Sequence, residues 1–153
     1  SLRSKSLGSD TSSSVDTVLD FKKYFTKDSI LLLQPTSPLR SFGFINGMMH
    51  KVNEENLLQC ISVKEITKHM KFSYYSINNL TLEKNLTKDS RYFMPNGAMY
   101  YTKWDILDKE RSFISEICSF YIMPEIYSID IDDISDWNLA KSVMELKENN
   151  RFD

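Results

Sequence analysis

Ser29-Ile30-Leu31-Leu32-Leu33 is a short apolar run that stops at Gln34-Pro35-Thr36-Ser37-Pro38. An unbroken apolar run of this length is the pattern of a strand buried on both faces. Two prolines cannot donate to a ladder, so the chain must leave the sheet at Gln34. The rest of the fold has to supply cover for both sides of that strand.

The flanking segments do so. A polar cluster over residues 9–14 precedes Val15, Val18, Leu19 and Tyr24, which recur at helical spacing and predict a helix over 14–25. Phe44, Ile45, Met48, Met49 and Val52 form a second helical stripe, and residues 57–63 read as another buried strand. The periodicity then fails from 64 to 93, where aromatics alternate with Asn, Lys and Thr; this reads as an excursion from the core, a hairpin-like arm. Asn96-Gly97 opens a strand over 98–101, and a helix starts over 104–107. Brief strands are expected over 121–123 and 127–131. Ser135 or Asp136 can cap a last helix running to about Glu148. Strands alternating with helices imply one α/β domain over residues 1–153 with a largely parallel sheet. In such sheets ligands bind beyond the carboxyl ends of the strands, and the loop over 34–40 lies at one of them.

The totals exclude some functions. With 19 basic and 21 acidic side chains the formal net charge is −2, which argues against non-specific nucleic-acid binding. No apolar run approaches the roughly 20 residues that span a bilayer, so no membrane partner is expected. The polar residues 1–14 lack the apolar core of a signal peptide. Cys60 and Cys118 sit in apolar stretches without metal-ligand spacing, as buried thiols of a cytoplasmic protein would.

Three motifs carry chemistry. In Ser128-Ile129-Asp130-Ile131-Asp132-Asp133, a strand with Ile129 and Ile131 inward puts Asp130 and Asp132 on the opposite face, roughly 6.5 Å apart along the strand. Carboxylates that close repel unless a cation or water intervenes. Magnesium suits them, because it takes one or two carboxylates and leaves other positions to water and phosphates. A solvated strand end feeding a helix cap explains the motif equally well, and Asp133 and Asp136 belong to that turn. The stretch from Leu31 to Arg40 delivers Gln34 to the sheet edge beside the hydroxyls of Thr36 and Ser37, groups able to bind a polyhydroxylated ligand; a stiff turn would look the same. In Pro95-Asn96-Gly97-Ala98-Met99-Tyr100, small residues leave room at the backbone, and Asn96 and Tyr100 offer polar tips. A strand entered from a turn would also fit.

In this order and at these separations the motifs resemble the acylneuraminate cytidylyltransferase family, the CMP-sialic acid synthetases. The segment from Arg3 to Ser14 resembles that family's Arg-Pro-x-x-Leu-x-x-Asp-Thr-Ala-x-Ser segment, so the likeness runs from Arg3 to about Leu146. The resemblance implies a Rossmann-like sheet of the nucleotide-diphospho-sugar transferase type. It implies a magnesium-dependent enzyme that joins CMP from CTP to a nine-carbon keto-sugar acid such as N-acetylneuraminate and releases pyrophosphate, acting as a homodimer. By position, Asp130 and Asp132 would be catalytic metal ligands. Gln34, Asn96 and Tyr100 would contact the sugar, and Arg3 and Ser14 would lie on the nucleotide side. No role falls to His50 or His69.

The chain departs from that pattern in two places. The family's opening strand and its glycine-containing loop ending in Ser-Lys have no counterpart here, so the N-terminal βαβ portion is expected to be missing. The 64–93 arm is also shorter than the family's dimerisation arm, and Met94 stands where a basic residue is usual, which leaves sialic, legionaminic and pseudaminic acids all open. A catalytically silent sugar-binding or dimerising remnant is the alternative.

Overall fold

The computed structural model describes residues 13–66 and 92–148. Among these, four helices and four strands follow in the order α1 (Ser14–Phe21), β1 (Ser29–Leu33), α2 (Phe42–Glu54), β2 (Gln59–Ile66), β3 (Tyr92–Lys103), α3 (Trp104–Glu110), β4 (Cys118–Ile122) and α4 (Ile134–Glu148). The strands form one sheet in the order β1-β3-β2-β4. β1 and β2 both pair antiparallel to β3, and β4 pairs parallel to β2. Three strands therefore share one direction and β3 alone runs against them. The largely parallel sheet holds in strand direction, while the inserted β3 makes the ladder mixed.

Helices cover both faces of the sheet, but β1 is not buried as its apolar run predicts: it stands at the sheet edge, Ser29–Leu32 are half-buried and Leu33 is exposed. On one side Met48 and Val52 of α2 pack with Leu31, Cys60, Met99, Tyr101 and Met123. On the other, Val18 of α1 and Trp104 and Leu107 of α3 pack with Phe113, Ile30, Leu32 and Tyr100. Gly47 lets α2 lie against Tyr121 of β4: a Cβ there would collide with the phenol oxygen. Asp16–Arg111 and Lys22–Asp108 ion pairs tie α1 to the end of α3, but both are solvent-exposed and contribute little. Cys60 and Cys118 are buried free thiols. Cys118 pairs with Gln59, the neighbour of Cys60, so side-chain alternation sends the two sulfurs to opposite faces.

Several expected boundaries move. α1 is a helix only to Phe21 and continues as one tight turn over Lys22–Tyr24. Lys64 and Phe93, the expected ends of the arm, lie inside β2 and β3; residues 67–91 and Arg3 lie outside the described residues. The strand expected over 127–131 is absent. Pro124 ends β4, a tight turn over Glu125–Tyr127 follows, and the next residues join no ladder. They are held instead by the Ile131 N–H donating to the Thr36 carbonyl at 2.8 Å and by buried Ser128. The cap of α4 is also not Ser135 or Asp136 alone. Asp133, one residue before the helix, accepts from the N–H groups of Ser135 and Asp136, while Asp136 accepts from those of Asp132 and Asp133. This is a reciprocal capping box.

Candidate functional site

The carboxyl ends of β1 and β4 and the early part of β3 meet at one end of the sheet. β1 exits through Gln34, where the Ser37 N–H donates back to the Gln34 carbonyl. Arg40 locks this corner. Its Nη1 donates to the carbonyls of Gln34 (3.0 Å), Ser37 (3.3 Å) and Ala98 (2.9 Å), clamping the proline loop onto β3. Burial lowers the Arg40 pKa from its ordinary value.

β3 bulges where it meets this corner. Ile61 pairs with Tyr100 and Val63 with Pro95, so the four residues 96–99 oppose Ser62 alone. The interrupted ladder is repaired by side chains. The Ser62 hydroxyl donates to Asn96 Oδ1 (2.6 Å) and accepts from the Met99 N–H (2.8 Å), and the Ala98 N–H donates to Asn96 Oδ1. Asn96 Nδ2 donates to the Ser128 hydroxyl at 2.8 Å, and that hydroxyl donates to the Pro124 carbonyl. Ser62, Asn96, Ala98, Met99 and Ser128 are all buried, where an unpaired donor or acceptor would cost about 1–3 kcal/mol.

Gly97 sits at the apex with φ +76°, a conformation open to glycine. A Cβ there would lie 2.5 Å from Asp130 Oδ2 and 3.2 Å from Gln34 Oε1. Its missing side chain is thus the space in which Asp130 and Gln34 converge. The Ser37 hydroxyl donates weakly to Asp130 Oδ1 at 3.5 Å. On the neighbouring turn of β3, burial first, then the Asp130 charge, raises the Tyr100 phenol pKa. Asp130 also lines an open cleft of about 880 Å³ together with Asp132, Asp136, Asn96 and Lys64.

Of the residues expected at a site, Gln34 and Asp130 are brought together around Gly97, whereas Tyr100 packs into the core against Phe113 with ring centroids 5.5 Å apart. Asn96 is there too, but it is 3% exposed and its amide is engaged inside the protein. Asp132 is solvent-exposed and shares the cleft with Asp130. Ser14 is exposed on the first turn of α1, beside Ser13, whose hydroxyl caps that helix by accepting from the Val15 N–H. Arg40 and Ser128 stand in the sequence motifs without a role of their own, and Ser62 lies unremarked in the strand read over 57–63. A serine between Ile61 and Val63 in a buried strand was the available signal, since a buried hydroxyl needs partners.

The donor set suits a hard divalent cation. Asp130 and Asp132 are carboxylates on an open cleft, and neither is paired with a cationic side chain among the described residues. Two such oxygen donors with room for water match magnesium. Among the described residues no group of three or more His, Cys, Asp or Glu side chains is placed to hold a metal by itself. No described helix is long and apolar enough to cross a membrane.

The chain is 32% identical over 167 aligned positions to the CMP-N,N'-diacetyllegionaminic acid synthase of Legionella pneumophila, covering 96% of this chain and 69% of that protein. It is 26% identical to the N-acylneuraminate cytidylyltransferase of Streptococcus agalactiae serotype III, covering 89% of this chain but 35% of that longer protein. In fold it is similar to the solved CMP:2-keto-3-deoxy-manno-octonic acid synthetase complexed with CTP, with a TM-score of 0.65 at 10% identity over 90% of this chain and 70% of that one. No family model matches the chain.

Proposed function

Because this chain belongs to the acylneuraminate cytidylyltransferase family, we propose that it carries the sugar-acid and metal side of a magnesium-dependent cytidylyltransferase. The reaction joins CMP from CTP to a nonulosonic acid such as N-acetylneuraminate, whose anomeric hydroxyl attacks the α-phosphorus and displaces pyrophosphate. Magnesium, when bound, would supply charge neutralisation on the phosphates. Asp130 and Asp132 hold the ion, Gln34 faces the sugar, and Asn96 keeps the bulge in shape. The resemblance of their segment to the family's assigns Arg3 and Ser14 to the nucleotide. The protein works as a cytoplasmic homodimer. Transfer of this kind needs positioning and charge neutralisation rather than a nucleophilic triad.

The observation that carries this reading is the convergence of Asp130 and Gln34 in the space left by Gly97. It puts an anionic oxygen and an amide at the strand ends of an α/β sheet, where such folds bind ligands. Calorimetry tests it. Wild-type protein should bind CTP with magnesium and lose that binding with a chelator. Asp130→Asn and Asp132→Asn should lose the metal dependence while shifting metal-free stability by no more than about 0.5 kcal/mol. CTP binding that ignores magnesium, or a variant that unfolds while folded molecules keep the metal response, would make the carboxylates structural. No CTP binding under either condition would favour the silent sugar-binding or dimerising remnant.

A further inference from the structure

Ser37 stands in the proline corner with a side chain that no ligand can reach, because the residue is fully buried. Its backbone is restrained from both sides. Pro35 presets the turn that the Ser37 N–H closes by donating to the Gln34 carbonyl at 3.3 Å. Pro38 disfavours the helical region for the residue before it, which narrows Ser37 to extended conformations. Arg40 adds a third restraint, its Nη1 donating to the Ser37 carbonyl at 3.3 Å. No acidic side chain among the described residues pairs with that guanidinium, so its charge is committed to backbone carbonyls.

This rigid frame holds a hydroxyl with one partner. Among the described residues the Ser37 hydroxyl donates only to Asp130 Oδ1, at 3.5 Å, and the Asp130 carboxylate accepts from no other group. A buried hydroxyl needs a partner, and here the partner also lines the open cleft. The other oxygen, Oδ2, lies at the space left by Gly97, where Gln34 Oε1 also comes close. Ser37 and Gly97 thus address different oxygens of one carboxylate, the first with a donor and the second with a gap. A carboxylate tethered at one oxygen no longer turns freely about its Cβ–Cγ bond.

We propose that Ser37, held by Arg40 and the two prolines, is a positioning residue that orients the Asp130 carboxylate for a divalent cation. This role rests on the cytidylyltransferase reading and adds the residue that stands behind its metal ligand. Ligating carboxylates are oriented by hydrogen bonds of their own, and losing such a partner typically lowers metal affinity 10- to 100-fold. At 3.5 Å the bond is at the weak limit, so its removal should disturb the orientation of Asp130 far more than the fold.

Manganese, a paramagnetic ion that takes the same oxygen donors as magnesium, tests this when titrated alone into the full chain and followed by electron paramagnetic resonance. Ser37→Ala should weaken manganese binding by about 10-fold or more, while the metal-free melting midpoint moves by no more than about 4 °C. Asp130→Asn should weaken it as well, and adding Ser37→Ala to that variant should cause no further loss, because Ser37 acts through the carboxylate. Arg40→Lys, which keeps the charge but not the planar fork, should weaken manganese in the wild-type background and not in Asp130→Asn. Ser37→Ala with wild-type manganese affinity overturns the proposal. So does an equal loss with and without the Asp130 carboxylate, which would make Ser37 a residue of the fold alone. An Arg40→Lys effect that persists in Asp130→Asn removes Arg40 from the device. If wild-type protein binds no manganese, or if Asp130→Asn binds it undiminished, the metal reading itself fails and takes this role with it.

Discussion

Residues 99–103 and residues 96–98 belong to one strand, yet they are stabilised in different ways. Along 99–103, β3 pairs with β1 on one side, and along 100–102 it also pairs with β2 on the other. Backbone groups satisfy one another there, and the side chains are free to build core. Along 96–98 neither neighbour pairs, and the polar groups are met by Ser62, Ser128, Arg40 and Asn96. The regular half needs only apolar volume, so many sequences could form it. The bulged half needs particular donors at particular atoms, and it is the half that reaches Asp130. Stability and site are thus separable within twelve residues.

Substitutions should expose that difference. The largest loss of stability is expected from Met99→Ala in the regular half. Met99 is fully buried between α2 and the sheet, and truncation there should cost about 3 kcal/mol, lowering the midpoint of thermal unfolding by roughly 10 °C. Nucleotide affinity of the folded molecules should stay unchanged. Asn96→Ala should cost about 2 kcal/mol, because the Ser62 and Ser128 hydroxyls and the Ala98 N–H lose a shared partner in the interior. It should also weaken magnesium-dependent CTP binding, which calorimetry reads. Gly97→Ala comes third in stability, at about 1–2 kcal/mol for a left-handed residue with a side chain. Its effect on metal-dependent binding should exceed that of Asn96→Ala, since the new Cβ displaces Asp130. A Gly97→Ala protein that binds magnesium and CTP like wild type would break the proposed division of labour.

The regular half was legible because it rests on pattern. The run Leu31-Leu32-Leu33 required cover on both faces, and the helical stripes of α1 and α2 predicted what supplies it. The proline stop at Gln34 located the corner correctly, since proline removes a donor wherever it stands. What failed was local geometry made by distant contacts. Ile129 and Ile131 alternate with Asp130 and Asp132 as a strand would, but a ladder needs a neighbour. The Thr36 carbonyl and the Asn96 amide hold that segment instead, the first 95 positions from Ile131 and the second 32 from Ser128. The bulge was hidden for the same reason, as nothing local says that Ser62 will oppose four residues of β3. Arg40 draws its role as a clamp from such long-range placement, reaching the Ala98 carbonyl on β3.

Alkaline pH offers the mildest probe, and it acts on the regular part of the sheet. Cys60 pairs opposite Tyr101, and Cys118 lies on the adjacent β4. Burial is the main cause that pushes both thiols up to about 12 from an ordinary 9.0. The folded chain therefore keeps two protons that the unfolded chain releases once the pH passes 9. Stability is full below pH 9 and falls as the pH rises toward 12, the direction set by tighter proton binding in the folded state. At pH 10 the loss should be about 1 kcal/mol per thiol, and Tyr100, whose pKa is also raised, adds in the same sense above its ordinary 10. Denaturant melts at pH 8 and pH 10 on wild type and on Cys60→Ala/Cys118→Ala measure the slope. The double variant should be less stable at pH 8 because of its cavities, yet its stability should depend less on pH. Asn96→Ala, which alters only the bulge, should keep the wild-type slope. A slope that survives removal of both thiols would assign the alkaline weakness to the bulge and Tyr100, and the two halves of β3 would then share one vulnerability.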